Sequence, residues 1–303
     1  MKNSLAWLDG TFLASTEARV SLMAHTLHYG LGVFEGIRCY RLVDGRLAIF
    51  RLQDHIRRLF ESAKICQITI PHSVDDLAQV CVEIVRSGDK PLYLRPLVFV
   101  GEGSMGISAL QNEVHTCVVA WEFGTYLGEE GLRRGIRAQV SAFARGAVNS
   151  AMAKAKIVGQ YSTMVLAKQE ATQLGFDEAI LLDQQGFVAE ASAQNIFVVR
   201  DGIVWTAPHT AAIIAGFTRD SVIRIARDLG LEVREERFTR DFLWVADEVF
   251  LTSTASEVMP VREVDGRSVG QGKPGAITLK IQALFFDAAK GKDSRYESWL
   301  TVV

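Results

Sequence analysis

The stretch PLYLRPLVFVGEGSMGISALQNEVHTCVVAWE, residues 91–122, admits two opposite folds. Its middle, GEGSMG at 101–106, matches G-x-G-x-x-G after a strand-like run, and Glu122 follows at about the offset of a ribose-binding acid. On that reading the chain would be a doubly wound dinucleotide-binding protein. The spacing argues otherwise. Only nine residues, Ile107 to His115, separate the motif from the next strand-like run, TCVVAWE. A parallel crossover needs about a dozen residues or more and usually a helix. The gap suits a loop between antiparallel strands, and it offers no helix N-terminus to a pyrophosphate. The dehydrogenase reading is set aside with the motif.

The rest of the chain agrees with antiparallel sheet. Asp-Gly between apolar runs is a strong hairpin signal, and it occurs at Asp9-Gly10, Asp44-Gly45, Asp201-Gly202 and Asp265-Gly266. Between the hairpins lie amphipathic helices. One stripe is Leu52, Ile56, Leu59, Phe60 and Ala63; another is Leu77, Val80, Cys81, Ile84 and Val85, opened by the capping signal Ser73-x-x-Asp76. The second half repeats the style, with a helix from about Ser162 to Gly175, strands EAILLD, FVAEA and NIFVVRD, a helix from Thr218 to about Gly230, and a late helix around AITLKIQALFFDAA. The fold class is α+β. Four glycines and several charges in EFGTYLGEEGLRRG mark a linker at 122–135, which predicts a smaller N-terminal domain, 1–121, and a larger C-terminal one, 136–303.

Composition narrows the function. The 33 basic and 35 acidic residues are well mixed, so neither nucleic acid nor an anionic membrane is expected as a partner, and a small molecule is. The four cysteines are scattered and form no C-x-x-C pair, which suits a reducing cytoplasm rather than a disulfide framework or a zinc site. No apolar run reaches the about 18 residues of a membrane span, and no signal peptide is evident. His25 and His28 lack a third metal ligand at useful spacing, so no metal is expected and the histidines read as structural. Neither G-x-S-x-G nor a Walker motif is present.

Several charges stand in apolar surroundings. Strand alternation puts Tyr93 and Arg95 on one face, and Arg95 is the one charge of PLYLRPLVFVG. It is either half of an internal ion pair or a receptor for a substrate carboxylate. Glu190, within GFVAEASAQNIFVV, should ion-pair, neutralise or hold a cation. Arg58 in DHIRRLF has a solvated helix face as its default reading. In AGFTRDSVIRIA, Gly216 allows close backbone approach and Thr218 opens a helix whose N–H groups suit a phosphate. Lys154 and Lys156, in NSAMAKAKIVGQYS, have no acid nearby in sequence.

Taken together, HYGLGVFEGIRCY (28–40), FRLQDHIRRLFESAKI (50–65), YLRPLVFVG (93–101), KIVGQYS (156–162), GFDEAILLD (175–183), EASAQNIFVVRDG (190–202), AGFTRDSV (215–222) and ADEVFLTSTASEVMPV (246–261) resemble the class IV aminotransferases of pyridoxal phosphate (PLP) fold type IV. The likeness is greatest to the branched-chain amino acid aminotransferases. It implies PLP as cofactor and exchange of an amino group between valine, leucine or isoleucine and 2-oxoglutarate. A D-amino acid or (R)-amine transaminase, or an aminodeoxychorismate lyase, is the alternative within that fold.

The resemblance also implies roles. Lys156, in the pattern K-x-x-G-x-Y, is the lysine that carries the cofactor covalently and moves the Cα proton, with Lys154 a bystander to the chemistry in a structural or solvated role. Glu190 pairs with the pyridine nitrogen and Tyr161 with the ring oxygen. Arg58, the amides of Phe217 and Thr218, and the Thr254 side chain cup the phosphate. Thr254 and Ala255 bind the substrate α-carboxylate. Phe34, Tyr126 and Tyr161 line the side-chain pocket, Tyr29 and Arg95 accept the distal carboxylate of glutamate, and Gly36 and Tyr93 are also expected among the substrate-binding residues. Ile107 is lent by a neighbouring subunit, so a homodimer or larger homo-oligomer is expected. One departure is Gln194, where relatives commonly carry Glu; that acid helps organise the contacts near the phosphate-binding arginine.

Overall fold

A computed structural model describes residues 5–303, and these divide into two compact units. The first runs through Phe123 and adds Ala155–Gln160 and Ala288–Val303; the second comprises Gly124–Lys154 and Tyr161–Asp287. This corrects the expected division into 1–121, a linker and 136–303. The last residues belong to the first unit because Leu300–Val302 pairs antiparallel with Leu47–Phe50 at that sheet's edge. The expected linker holds a short helix, Gly128–Arg134, which lies within the second unit.

In the first unit the described strands follow the order Leu300–Val302, Leu47–Phe50, Ile37–Arg41, Tyr93–Val100, Val114–Trp121, Leu5–Leu8, Thr11–Ala14, with Gly32–Phe34 also pairing with Tyr93–Val100. Tyr93–Val100 and Val114–Trp121 are antiparallel, in register from Tyr93↔Trp121 to Val100↔Val114. The GEGSMG glycines therefore serve a loop, and its centre is Asn112. That side chain accepts from Ser104 N at 2.9 Å and donates to Ser104 O at 3.1 Å. A Cβ on Gly103 would fall 2.5 Å from Asn112 Oδ1, so glycine is required there. Helices Leu52–Ile65 and Val74–Arg86 bury Ile56, Leu59, Leu77, Cys81 and Ile84 against Val33, Ile37, Leu94 and Val118 of the sheet. The Ser73/Asp76 capping box is formed in both directions.

The second unit has a mixed sheet in the order Val188–Ala191, Glu178–Leu182, Ile136–Ala144, Glu257–Val264, Glu248–Ser253, Asn195–Arg200, Ile203–Thr206, Val233–Glu235. Ile136–Ala144 runs parallel to both neighbours, while the other pairings are antiparallel except Ile203–Thr206 with Val233–Glu235. All four Asp-Gly turns join paired strands, and Asp9, Asp201 and Asp265 share positive φ with the glycine that follows. Cys39 and Cys81 are buried free thiols, and burial pushes Cys81 up to about 12. Among the described residues no helix is long and apolar enough to cross a membrane.

Candidate functional site

In the first unit, Gly30 and Gly159 bring two segments into backbone contact. A Cβ on Gly30 would lie 2.9 Å from Gly159 Cα, and Gly159 N donates to Gly30 O at 2.9 Å. The isolated bridge Val33↔Ile157 and the bond from Phe34 N to Lys156 O at 3.1 Å continue this seam. Lys156 N donates to Ser62 Oγ on the helix Leu52–Ile65 at 3.1 Å. The lysine is thereby pinned through its backbone, and its Nζ stands 4.9 Å from the centre of the Phe34 ring.

Arg95 stacks on the same ring, with its guanidinium carbon 4.8 Å from the Phe34 centroid, 5.7 Å from Tyr93 and 5.6 Å from Trp121. Its Nε is buried without a hydrogen-bond partner. Among the described residues no acid pairs with Arg95, so the internal ion pair left open by the sequence is not formed. Gly36 faces this cluster: a Cβ there would fall 1.9 Å from the Tyr93 hydroxyl oxygen. Tyr29 and Ile107 are exposed, and Tyr29 donates its hydroxyl to Met105 O at 2.7 Å.

Arg58 overturns its default reading as part of a solvated face. Its Nε donates to Glu35 Oε1 at 2.6 Å and its Nη2 to Glu35 Oε2 at 3.0 Å. Glu35 and His55 are fully buried, and His55 Nδ1 lies 2.7 Å from Glu35 Oε2. Burial opposes the charge on Glu35, but Arg58 and His55 outweigh it and hold the carboxyl well below the usual range. For His55 burial wins over Glu35, and the imidazole is pushed down. It is therefore a neutral ring donating Nδ1–H to a carboxylate. Arg57, by contrast, is solvated. Sequence reading missed Glu35, although it stands as a lone acid in the apolar run GLGVFEGI.

In the second unit, Glu190 lies on Val188–Ala191 beside a register shift between Val188 and Glu190, an irregularity of the kind that re-aims a side chain. The sequence left its partner open; the structure supplies Arg145, which is 3.1 Å from Oε1 and itself buried. Asn195 Nδ2 and Ile214 N both donate to Oε2 at 3.2 Å. The helix Phe217–Asp228 starts one residue earlier than expected, and Gly216 at its N-cap carries no capping side chain. Thr254 and Ala255 form the turn between Glu248–Ser253 and Glu257–Val264, closed by the Ser253–Ser256 hydroxyl pair at 2.7 Å. Tyr161 opens the helix Tyr161–Gln173, and Tyr126 is exposed with Lys168 Nζ 5.7 Å from its ring centre.

Lys154 takes the structural role that was one of its two expected readings: its Nζ donates to Ala211 O and Ile213 O at 3.2 and 3.3 Å, and burial pushes its ammonium down. Gln194 donates to Glu178 Oε2 at 2.8 Å and accepts from Ser256 Oγ, while Arg58 is organised by Glu35. Glutamate at 194 would set a second carboxylate against the buried Glu178, so the amide is the fitting group for this environment. Among the described residues no three His, Cys, Asp or Glu side chains gather to hold a metal.

Each unit by itself carries groups of the kind an anionic, aromatic cofactor needs: the first a guanidinium locked by an acid and a backbone-pinned lysine, the second a helix start led by glycine and a carboxylate held by three donors. Comparison with known proteins points the same way. Residues 32–264 match the model of amino-transferase class IV. The chain is 43% identical to a branched-chain-amino-acid aminotransferase of Pseudomonas aeruginosa, over 100% of this chain and 98% of that one, and 40% identical to that of Escherichia coli K12 with the same coverages. A solved structure of the T.th. branched-chain amino acid aminotransferase with pyridoxamine 5'-phosphate superposes with a TM-score of 0.96 at 45% identity, covering 99% of each chain. Another of the same enzyme, complexed with N-(5'-phosphopyridoxyl)-L-glutamate, gives 0.93 at 42%, again over 99% of each. With its fold, its ordered motifs and this end-to-end likeness in agreement, the chain belongs to the class IV aminotransferase family.

Proposed function

We propose that the protein is a PLP-dependent transaminase that exchanges the amino group of valine, leucine or isoleucine with 2-oxoglutarate, giving the branched-chain 2-oxo acids and glutamate. The observation that carries the dual specificity is Arg95: a guanidinium that meets no acid among the described residues, stacked on Phe34, Tyr93 and Trp121. The rings present an apolar face to a branched side chain, and the planar fork of donors accepts the distal carboxylate of glutamate.

When bound, the cofactor supplies the electron sink that makes the substrate Cα–H bond acidic. The chain supplies position and proton transfer. Lys156 Nζ would hold the cofactor and, once the substrate amine displaces it, would serve as the base for the Cα proton, its backbone fixed by Phe34 and Ser62. Glu190 would pair with the pyridine nitrogen and Tyr161 with the ring oxygen. Arg58 would hold the phosphate by charge, and the amides of Phe217 and Thr218 with Thr254 would hold it as a helix start does. Thr254 and Ala255 receive the α-carboxylate, Phe34, Gly36 and Tyr126 bound the side-chain pocket, and Tyr93 orients Arg95.

We also propose that Tyr29 joins Arg95 at the distal carboxylate and that Ile107 is lent to a second copy in a homodimer, which suits its exposure together with that of Leu22, Met23, Leu27 and Leu110. A cytoplasmic location suits the free thiols. The test is a two-substrate panel crossing each amino acid with several 2-oxo acids on the PLP-loaded protein. Leucine, isoleucine and valine with 2-oxoglutarate should lead; a preference for D-alanine or an (R)-amine would reject the assignment.

A further inference from the structure

The segment 211–216, just before the helix Phe217–Asp228, is fastened at nearly every backbone group. Lys154 holds the carbonyls of Ala211 and Ile213, and Arg145 Nε donates to Ala212 O at 3.0 Å. Ile214 then meets Glu190 through its N–H and Asn195 through its carbonyl, at 3.2 and 2.8 Å. Gly216 N donates to Asn195 Oδ1 at 3.1 Å, and a Cβ on Gly216 would fall 2.4 Å from that oxygen.

Asn195 stands at the centre. Buried on the strand Asn195–Arg200, it uses Nδ2 on both Glu190 Oε2 and Ile214 O, and Oδ1 on Gly216 N. We infer that Asn195 is a positioning residue whose one amide locks the Glu190 carboxylate and the start of the helix Phe217–Asp228 into a single register. The acid that meets the ring nitrogen and the amides that meet the phosphate then move as one piece. This rests on the roles proposed above for Glu190 and the helix start.

The test measures dissociation constants of two partial probes on the apoprotein: pyridoxal, which lacks the phosphate, and inorganic phosphate, which lacks the ring. Two controls isolate the underlying roles. Glu190→Gln should weaken pyridoxal alone, and Phe217→Pro, which deletes one amide at the first helical position, where proline is tolerated, should weaken phosphate alone. Asn195→Ala should weaken both, each by about tenfold or more, as expected when buried hydrogen bonds to a charged group and to a backbone amide are lost. Asn195→Asp keeps the Oδ1 acceptor for Gly216 but loses both donors and faces Glu190 with like charge, so pyridoxal should suffer more than phosphate. Should the alanine variant fail to fold, the aspartate variant carries the test through that split. If the controls move their probes while Asn195→Ala moves one or neither, or Asn195→Asp shows no split, the inference falls. If the controls move nothing, the roles proposed for Glu190 and the helix start fall instead.

Discussion

Arg95→Met separates the two substrates that one pocket must accept. Methionine keeps an unbranched apolar stem and a polarizable sulfur that packs against Phe34, Tyr93 and Trp121, the rings the guanidinium now stacks on. Among the described residues no acid loses a partner, because none of them pairs with Arg95, whose Nε is buried without a hydrogen-bond partner. The cost to the fold is therefore confined to cation–π contacts of about 0.5–1 kcal/mol each, partly restored by the sulfur. Glutamate and 2-oxoglutarate, by contrast, lose a charge-assisted partner worth about 2 to 5 kcal/mol. Their turnover should fall by roughly 30- to several-thousand-fold. Leucine exchanges one contact surface for another of similar size and should change by less than about tenfold. The assay is stopped-flow reaction of the PLP-loaded protein with leucine and with glutamate separately, accompanied by thermal melts. Equal losses for both amino acids, or a large drop in melting temperature, would refute the reasoning and return Arg95 to a structural role.

Lys156→Ala should abolish turnover and the borohydride-bleachable visible band. Lys154→Ala should keep the band but bind PLP more weakly, because the Ala211 and Ile213 carbonyls lose their donor; mass spectrometry after reduction locates the attachment. Glu35→Gln removes the buried carboxylate that pairs with Arg58 and accepts from His55, and should cost about 3–5 kcal/mol in urea unfolding, with PLP affinity falling alongside as Arg58 loses its support. Acid should destabilise the apoprotein in two stages. His55, held below its ordinary 6.5, is neutral when folded and takes up a proton on unfolding, so stability declines as pH falls below that value. Glu35, also lowered, contributes stability that is complete above its ordinary 4.5 and lost as pH falls further. His55→Asn, which retains a donor near Nδ1, should remove the first stage only, as read from urea midpoints across pH. Gly36→Ala should cost about 1–3 kcal/mol through its clash with Tyr93, and adding Tyr93→Phe should recover part of it.

Patterns that act over a few residues were readable without coordinates. The nine-residue gap after GEGSMG excluded a parallel crossover, the four Asp-Gly pairs placed hairpins, and helical spacing at Leu52–Ala63 and Leu77–Val85 placed two helices, because turn geometry and side-chain periodicity are local consequences of backbone sterics. The resemblance in KIVGQYS separated Lys156 from Lys154, which composition alone could not. Partner choice was another matter. Arg58 looked like half of a basic helix face until Glu35, 23 residues earlier, proved to hold it, and Glu190 showed no counter-ion until Arg145, just past the strand Ile136–Ala144, was brought against it. The return of Leu300–Val302 to the first sheet and the grip of Asn195 on both Glu190 and Gly216 are of the same kind. A buried charge demands a partner, but which one it meets depends on how distant segments pack, and that is settled only when the sheets close around it.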